Sequence, residues 1–536
     1  KDKAKHALLF CEKVSLCWLL VLFLLYLALT PKRRSQELGG HCGRCRAGTI
    51  KIVSGVPAFP RHAQCQSVDA AIAGLICTSV MNPQSSGLGG GVVFTIYNAS
   101  TGTVEVINAR ETVPRVFPQD LLSGCNGGSR WIAVPGELRG YEEAHKRHGR
   151  LPWKALFEPT IKLLSDPLTI SPCGETFRWP ALQQTLRAVA ENGATAFYEG
   201  HIGQALVEDI RKAGSTISLE DLQAYKAEVS SPLNITLNSH TTVFSPGPPM
   251  GGAVLMFILK ILEASLATPK EKVETYHRIA EALKFAPQRK PCLCFGDTSS
   301  VSLLRLQVPV GTMLSDKIAE LVRGRIDAQG DHPLSHYNLL EAIYNHQYES
   351  KGTSHISVLA ADGSAVSATS TINYPFGSFV YSNQTGIILN NELADFCIAN
   401  RNIKPGEITL SACALGEKPP SAMVPSILIS KTGDTLVIGG AGGAWIISAT
   451  AMAIINKLWF GNDLEHAISA PIMHTKGVSV LFEEHFSEEV RSGLLERGHK
   501  EEKPEFAMNV VQGVSKEGKC ISAYSDRRKL GKSAGY

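Results

Sequence analysis

The sequence predicts a mixed α+β fold in which helices flank antiparallel strands, and three observations carry this prediction. Apolar residues recur at helical spacing from Ser67 onward, in VDAAIAGLICTSVM. Short runs rich in β-branched and aromatic residues, over 92–97 and 104–108, are joined by a tight turn. Near the end of the chain, the strands 425–430 and 435–439 lead through a glycine-rich turn into a helix over 444–458.

The other helices and strands are predicted from the same two signals, the helical spacing of apolar residues and short runs of strand-forming residues. The helix that starts at Ser67 should end before Asn82-Pro83, because proline disfavours a helical residue before it. A strand is expected over 131–134, followed by a turn and a helix from about Glu137. A capping box at Ser218 opens another helix. Further helices are predicted at 180–191, 201–213, 253–263, 276–285, 318–326 and 339–344.

Composition excludes several classes of protein. The 536 residues are 44% hydrophobic and 19% charged, which is typical of a globular chain. A net charge of +4 gives no reason to expect nucleic acid. Thirteen cysteines are too few for a disulfide scaffold. The pairs Cys42/Cys45 and Cys292/Cys294 have no matching pair nearby, so neither a metal nor a cofactor is expected.

An uncharged apolar run near the start, residues 14–29, indicates membrane targeting. A signal anchor and a cleaved signal peptide both fit. The anchor is favoured because no small-residue cleavage site follows the run. The expected order is a short N-terminal segment 1–13, an anchor 14–30 and a stalk 31–66; basic residues on both sides of the anchor leave its orientation open. Glycosylation sequons at Asn98, Asn234 and Asn383 favour a non-cytosolic location for the rest.

The stretch 352–396 carries the candidate chemistry. It opens on Gly352-Thr353 and continues as two hydroxyl-rich strands. With a three-residue loop over 361–363 and Gly363 in the left-handed position, Thr353 should face Thr371 across the ladder. A threonine with a free α-amine can act as a nucleophile, since the amine takes its proton, and cleavage before Thr353 would expose that amine. The alternative is an ordinary strand pair, because threonine is a good strand former.

Other polar residues are candidates for substrate recognition. Asn373, Glu392 and Asp395 lie near the hairpin in sequence and can hold an ammonium group. Arg110, at the end of a strand, suits a carboxylate. Ser421 can add a hydroxyl, and the amides of Gly442 and Gly443 can form an oxyanion hole. An exposed arginine, a solvated acidic turn and a simple strand-to-helix turn are the structural alternatives.

Several motifs follow one another along the chain: NPQSSGLGGG, VINARE, VPGELRGYEEAHKRHGRLPW, GTSHISV, SATSTIN, GIILNNELADF, PSAMVPSIL, GGAGG and SDRRKLGKSAGY. In sequence and in order, they resemble the motifs of the γ-glutamyltransferases. They span most of the chain from Ser67 onward. MVPSILISK and VIGGAGGAWIISA look most like the branch of the family that hydrolyses leukotriene C4 and glutathione.

The resemblance implies an N-terminal-nucleophile (Ntn) hydrolase with a four-layer αββα sandwich. It implies self-cleavage between Gly352 and Thr353 into a heavy chain, 67–352, and a light chain, 353–536, which associate as a heterodimer. Thr353 would form a γ-glutamyl ester with glutathione or its conjugates, supported by Thr371, and water or an acceptor amino acid or dipeptide would resolve it. The family is anchored in the plasma membrane as a type II protein with an extracellular catalytic domain, which implies that the segment 1–13 is cytoplasmic.

The resemblance also implies a role for each polar candidate. Arg110 and Ser421 would bind the substrate α-carboxylate. The α-amine would be bound by Asn373, Glu392 and Asp395. The oxyanion would be stabilised by Gly442 and Gly443.

The sequence departs from the family at Ala422, where the second of two adjacent pocket serines is expected. The segment 164–178 is shorter than its counterpart, and 41–66 and 288–310 diverge. Two other functions therefore stay open. One is a membrane-anchored ectodomain that keeps the fold but does not mature, and the other is an Ntn amidase with another acyl group.

Overall fold

The computed structural model describes residues 51–53, 66–116, 128–170, 175–266, 271–286, 310–337, 352–396, 416–503, 510–529 and 531–535. The expected anchor, the two cysteine pairs and the helix predicted over 339–344 lie outside these residues. Within them, no helix has both the length and the apolar character needed to cross a membrane.

The strands run from β1 to β18 along the described chain. They are β1 Lys51–Val53, β2 Gly91–Asn98, β3 Thr103–Ala109, β4 Leu168–Ile170, β5 Glu175–Phe177, β6 Glu228–Ser230, β7 Leu233–Leu237, β8 Thr241–Ser245, β9 Gly352–Leu359, β10 Ala365–Asn373, β11 Ser426–Ser430, β12 Thr435–Ala441, β13 Met473–Lys476, β14 Ser479–Phe482, β15 Lys500–Glu501, β16 Val510–Glu517, β17 Cys520–Ser525 and β18 Ser533–Gly535.

The helices are numbered separately. They are α1 Ser67–Met81, α2 Glu137–His148, α3 Trp153–Leu163, α4 Pro180–Asn192, α5 Thr195–Tyr198, α6 His201–Lys212, α7 Leu219–Ala224, α8 Gly252–Leu266, α9 Lys272–Phe285, α10 Val310–Met313, α11 Asp316–Arg325, α12 Leu334–Tyr337, α13 Ile446–Leu458, α14 Leu464–Ser469 and α15 Glu488–Glu496. Short 3-10 turns span Ser129–Trp131, Glu392–Phe396, Gly443–Trp445 and Arg527–Lys529.

Two antiparallel sheets lie face to face at the centre. Seven described strands form the first sheet in the order β18-β1-β9-β10-β2-β3-β6, and six form the second in the order β17-β16-β12-β11-β8-β7. Strands β9 and β10 lie against β12 and β16, with Leu359, Val437 and Val514 among the buried residues between the sheets. The active-site candidates on β9 and β10 are therefore held by a sheet that is covered on both faces.

Helices cover the outer face of each sheet. Helix α1 packs on β9 and β10, and α2 packs on β2 and β3. On the other side, α8 packs on β7 and β8, and α13 packs on β12 and β16. The order of layers is helix, sheet, sheet, helix, so the predicted α+β class with flanking helices is confirmed.

Local sequence explains most element boundaries. Helix α1 ends at Met81, immediately before Asn82, as the following proline predicts. The capping box of α7 is present: Ser218 Oγ accepts a hydrogen bond from the amide of Asp221, whose carboxylate accepts one from the amide of Ser218. Both satisfy amides that a helix start leaves without a partner.

The strand predicted over 131–134 is wrong. Ser129–Trp131 is a 3-10 turn, and Val134 makes only an isolated bridge with Thr112. The reason is a side chain that replaces a neighbouring strand. Asn390 Oδ1 accepts a hydrogen bond from the amide of Ala133 at 3.0 Å, and Asn390 Nδ2 donates to its carbonyl oxygen at 2.9 Å.

Candidate active site

Strands β9 and β10 place Thr353 directly opposite Thr371. The connecting loop has three residues: the amide of Ala360 donates to the carbonyl of Ser364, and Gly363 takes a φ of +89°. Because this loop fixes the pairing, the register predicted from the sequence is confirmed. Both threonines are buried within the first sheet.

The hydroxyl of Thr371 connects the two residues of the Gly352-Thr353 bond. Thr353 Oγ1 donates to Thr371 Oγ1 at 3.4 Å, and Thr371 Oγ1 donates to the carbonyl oxygen of Gly352 at 2.5 Å. The amide of Asn373 donates to Thr371 Oγ1 at 2.9 Å and helps to orient it. A hydroxyl is thereby aimed at the carbonyl that a nucleophile on Thr353 would attack.

A glycine-rich turn lies against this hairpin. A Cβ on Gly90 would stand 2.1 Å from the carbonyl oxygen of Thr371, and one on Gly89 would stand 2.1 Å from that of Ile388. Any larger residue at either position would displace the backbone it contacts. The glycines therefore let this turn pack directly beneath β10.

Arg110 is bonded to two acids that follow β10. Its Nη2 donates to Glu392 Oε2 at 3.0 Å and also to Asp395 Oδ2. Burial opposes the positive charge of Arg110, but the carboxylates of Glu392, Asp395 and Glu111 outweigh it and raise the pKa of the guanidinium. The arginine is thus buried and paired, which excludes an exposed arginine.

Backbone carbonyls hold the same guanidinium in place. Nε donates to Pro419 O at 2.7 Å and Nη2 donates to Pro420 O at 3.0 Å. Nη1 lies 3.7 Å from Glu111 Oε2 and makes no hydrogen bond to any described residue. Burial, and then the charge of Glu392, raises the pKa of Glu111 well above its usual range. One guanidinium nitrogen is therefore left without a hydrogen-bond partner in this part of the chain.

The predicted acidic cluster is buried rather than solvated. Glu392 and Asp395 lie in the 3-10 turn that follows β10. Asn373 Nδ2 donates to Asp395 Oδ1 at 2.9 Å and to Asn391 O at 3.2 Å. The structure therefore brings together the three residues that the sequence assigns to an ammonium group.

A small cavity joins these parts. It is lined by residues from both sides of the Gly352-Thr353 bond: Arg110, Thr353, Thr371, Glu392, Asp395, Ser421, Ala422, Met423, Gly443 and Ile446. Ser421 Oγ accepts a hydrogen bond from the amide of Met423 at 3.3 Å. The side chains predicted for catalysis or substrate binding therefore all line one cavity, except that of Asn373. Asn373 is hydrogen-bonded to Asp395, which does line the cavity.

The two candidate oxyanion-hole glycines occupy the turn between β12 and α13. Gly442 has a φ of +122° and Gly443 a φ of +71°, conformations that other residues rarely adopt. Only Gly443 lines the cavity. The helix begins two residues later than predicted, because the 3-10 turn Gly443–Trp445 precedes it.

Lys529 contacts the backbone of Thr353, and sequence reasoning missed this contact. Its Nζ donates to the carbonyl oxygen of Thr353 and, at 3.0 Å, to Ser85 Oγ. Burial lowers the pKa of this lysine to about 8. Its motif, SDRRKLGKSAGY, is part of the family resemblance, but nothing in the spacing of the motif places Lys529 beside Thr353.

His355 was also missed, although it lies two residues after Thr353. Its Nδ1 lies 2.8 Å from Thr369 Oγ1 and its Nε2 lies 2.9 Å from Ser357 Oγ. Burial lowers its pKa to about 3, so the ring is neutral at pH 7. A Cβ on Gly439 would stand 2.3 Å from the ring, which shows that β12 closes over it. The histidine therefore supports the hairpin from the space between the sheets.

Comparison with known proteins identifies the family. The family model described as Gamma-glutamyltranspeptidase matches residues 62–173 and 169–536. The chain belongs to the γ-glutamyltranspeptidase family. It is 48% identical over 539 residues to glutathione hydrolase 5 proenzyme of Rattus norvegicus, covering 91% of this chain and 92% of that protein. The corresponding Homo sapiens protein is 47% identical over 550 residues, with 91% and 92% covered.

The chain is also similar to more distant proteins. Scoloptoxin SSD14 of Scolopendra dehaani is 33% identical to this γ-glutamyltranspeptidase family member over 516 residues, covering 87% of each chain. The solved structure of cephalosporin acylase from Bacillus halodurans superposes with a TM-score of 0.77 at 21% identity, covering 94% of this chain and 98% of that one. That likeness shows the fold. The family resemblance is confirmed, and the chain is an enzyme of this family.

Proposed function

We propose that this enzyme cuts its own chain between Gly352 and Thr353 and then cleaves the γ-glutamyl bond of glutathione and of glutathione conjugates such as leukotriene C4. The observation that carries the proposal is the Thr371 hydroxyl, which contacts both the Thr353 hydroxyl and the Gly352 carbonyl oxygen. An ordinary strand pair has no need of this arrangement. The two glutathione hydrolase 5 relatives are named as proenzymes, which supports a cleavage step.

Self-cleavage follows as an acyl shift. Thr353 Oγ1 attacks the carbonyl carbon of Gly352, an ester forms, and the amide bond to the nitrogen of Thr353 breaks. Water then hydrolyses the ester, leaving a carboxylate on Gly352 and a free α-amine on Thr353. The heavy and light chains would stay together, because β10 is paired with β2 and β11 with β8 across the cut.

The cleaved enzyme would use the new amine as its base. The amine accepts the proton of Thr353 Oγ1, which attacks the γ-glutamyl carbonyl, and it then returns the proton to the leaving amine. The amides of Gly442 and Gly443 would stabilise the oxyanion, a contribution of roughly 3 kcal/mol per donor. Water or an acceptor amino acid or dipeptide then takes the γ-glutamyl group from the threonine.

The charges that meet at Arg110 match those of the substrate. An α-amino acid group carries one carboxylate and one ammonium. Arg110 and Ser421 would receive the carboxylate, and Asn373, Glu392 and Asp395 would receive the ammonium. In the uncut chain Arg110 is bonded to Glu392 and Asp395 instead, so binding would insert the substrate's two charges into an existing ion pair. The substrate carboxylate would take the place of the two acids at Arg110, and the substrate ammonium would take the place of Arg110 at the two acids.

Cleavage tests the proposal first. Wild type, Thr353→Ala and Thr353→Ser are compared on a denaturing gel after expression. We expect two chains for the wild type, one for Thr353→Ala and slower cleavage for Thr353→Ser, which keeps a hydroxyl. A wild type that stays as one chain would instead indicate the ectodomain that does not mature.

Substrate identity requires a product assay. Purified enzyme is incubated with glutathione or leukotriene C4, with and without an acceptor dipeptide, and free glutamate and γ-glutamyl dipeptide are measured. Release of glutamate, or its transfer to the acceptor, is expected from both substrates. A cleaved enzyme that acts on neither would point to an Ntn amidase with another acyl group.

The location is part of the same proposal. A type II anchor over 14–30 would place the enzyme on the outer face of the plasma membrane. Asn234 and Asn383 are exposed and Asn98 is partly exposed, which suits glycosylation at all three. Membrane fractionation and an endoglycosidase shift for Asn→Gln variants test this. Deglycosylation without any change in mobility would contradict it.

A further inference from the structure

A buried glutamate and two histidines meet in the second half of the molecule, away from the cavity at Thr353. Glu281 lies in α9, and His332 and His336 lie before and within the short helix α12. One ligand atom from each residue lies within 4.8 Å of the others. None of the three lines the candidate active site.

Two buried polar atoms of this cluster have no hydrogen-bond partner among the residues that the structure describes. Glu281 Oε1 accepts hydrogen bonds from Lys284 Nζ at 3.1 Å and from Tyr337 Oη at 2.9 Å. Glu281 Oε2 and His336 Nε2 make no hydrogen bond within the described chain. Glu281 is 0% exposed, so an oxygen without a partner is costly there. A bound cation would satisfy both atoms at once.

The third residue is already oriented by a carboxylate. His332 Nε2 lies 3.1 Å from Asp327 Oδ1. Carboxylates that hold one ring nitrogen commonly fix the orientation of histidines that bind metals. The rings of His332 and His336 stack at 3.9 Å, and both residues are partly exposed. A metal ion can therefore reach the cluster from solvent.

We propose that Glu281, His332 and His336 bind one zinc ion. Two imidazoles and one carboxylate are a ligand set that zinc takes, with a water in the fourth position. Tetrahedral coordination at about 2.1 Å places ligand atoms roughly 3.4 Å apart. Rotation of the two imidazole rings toward Glu281 Oε2 would provide that spacing.

The ion would connect two separate segments. Glu281 belongs to a long helix of the outer layer, whereas His332 and His336 lie in a short segment that follows α11. Zinc would hold this segment against α9. Because it would bind only the folded chain, it would raise the free energy of unfolding by an amount that grows with the ratio of free zinc to its Kd. The proposed role is structural, and it is independent of the proposed self-cleavage and γ-glutamyl transfer.

Zinc content tests the site directly. Full-length protein without a histidine tag is stripped with EDTA, dialysed against buffered Zn²⁺ and assayed for bound metal. We expect one zinc per wild-type chain. His336→Phe and Glu281→Gln should lose it, because the first keeps a ring for stacking and the second keeps a similar shape. His466→Phe is the matched control, since His466 is an exposed histidine beside Asp463.

A second readout separates loss of the site from loss of the fold. Co²⁺ in place of zinc should give the intense visible absorption of a tetrahedral site in the wild type and the control, and not in His336→Phe. Zn²⁺ should raise the melting temperature of the wild type and the control but not that of His336→Phe, compared with the same protein in EDTA. A wild type that binds no zinc, or a His336→Phe variant that keeps both the zinc and the absorption, would overturn the proposal.

Discussion

Thr371 faces Thr353 across the β9–β10 ladder, and its hydroxyl donates a hydrogen bond to the carbonyl oxygen of Gly352 at 2.5 Å. In the proposed self-cleavage this oxygen gains negative charge as Thr353 attacks. We expect Thr371→Val to slow self-cleavage by about 10²–10³-fold, the usual effect of removing one oxyanion donor. The rate is measured by gel from the loss of the uncut chain after synthesis in a cell-free system.

Thr371→Ser is the matched variant for this prediction. It keeps the hydroxyl and removes only a methyl group, so cleavage should stay within a few fold of the wild-type rate. Equal rates for Thr371→Val and the wild type would show that the hydroxyl has no part in the cleavage.

Gly90 tests the contact between the glycine turn and the hairpin. A Cβ on Gly90 would stand 2.1 Å from the carbonyl oxygen of Thr371, whereas one on Gly87 would meet nothing within 4 Å. We expect Gly90→Ala to displace β10 and to abolish cleavage, while Gly87→Ala cleaves normally. Gel analysis of the two variants, together with circular dichroism to check the fold, decides the matter. Normal cleavage of Gly90→Ala would mean that the turn can move without disturbing Thr371.

Arg110 is expected to contribute to stability as well as to binding. Arg110→Gln leaves Glu392 and Asp395 buried without their cation, and breaking such a pair from one side costs about 3–5 kcal/mol. Urea unfolding should show this drop. Arg115→Gln is the control: the Arg115 side chain is 50% exposed and lies 3.9 Å from Asp221, so a change below about 1 kcal/mol is expected.

A double variant identifies the cause of that loss. Removing the charge of Glu392 as well, in Arg110→Gln/Glu392→Gln, should recover part of the stability, because one uncompensated carboxylate disappears. A double variant less stable than the single one by the full cost of Glu392→Gln alone would show that the charges act independently.

The sequence predicts the hairpin because local rules determine it. A three-residue loop with Gly363 in the left-handed conformation allows one register, and that register places Thr353 opposite Thr371. The strand expected over 131–134 failed because β-like composition does not show whether a neighbouring strand exists. The side chain of Asn390 takes that place.

The rest of the site depends on tertiary packing. Lys529 lies 176 residues after Thr353 in the sequence, and no period or spacing indicates that the two make contact. Arg110 and the acids Glu392 and Asp395 were assigned to opposite ends of a substrate, yet in the uncut chain they bind each other. Sequence patterns identified the groups and their charges. They could not show which partner each group takes before a substrate arrives.

Ala422 provides a test of substrate recognition. It lines the cavity beside Ser421, where a second hydroxyl would face the proposed carboxylate site. Ala422→Ser should add one neutral hydrogen bond of about 1 kcal/mol, which corresponds to a KM about fivefold lower for a γ-glutamyl substrate. KM for an analogue that lacks the α-carboxylate should stay unchanged. An equal improvement with both compounds would place the new hydroxyl elsewhere.

Glu137 makes stability depend on pH. It is buried at the start of α2, where Tyr141 Oη donates to Glu137 Oε1 at 2.5 Å, and burial raises its pKa to about 8. In the unfolded chain the pKa is 4.5, so between pH 4.5 and 8 the folded state holds a proton that the unfolded state has lost. The free energy of unfolding should therefore fall as pH rises through this window.

The variant Glu137→Gln isolates that contribution, since glutamine still accepts the Tyr141 hydrogen bond but carries no charge. Relative to the wild type, it should gain melting temperature steadily from pH 5 to pH 8 and gain little more above pH 8. Thermal melts in matched ionic strength measure the difference at each pH. A constant difference across the range would show that the carboxyl titrates alike in both states, and that burial does not hold its proton. Glu208→Gln, on the exposed face of α6, is the control: its difference from the wild type should be small and should not change between about pH 6 and pH 8, because a carboxylate with a lowered folded pKa is ionised in both states once the pH is well above the unfolded value.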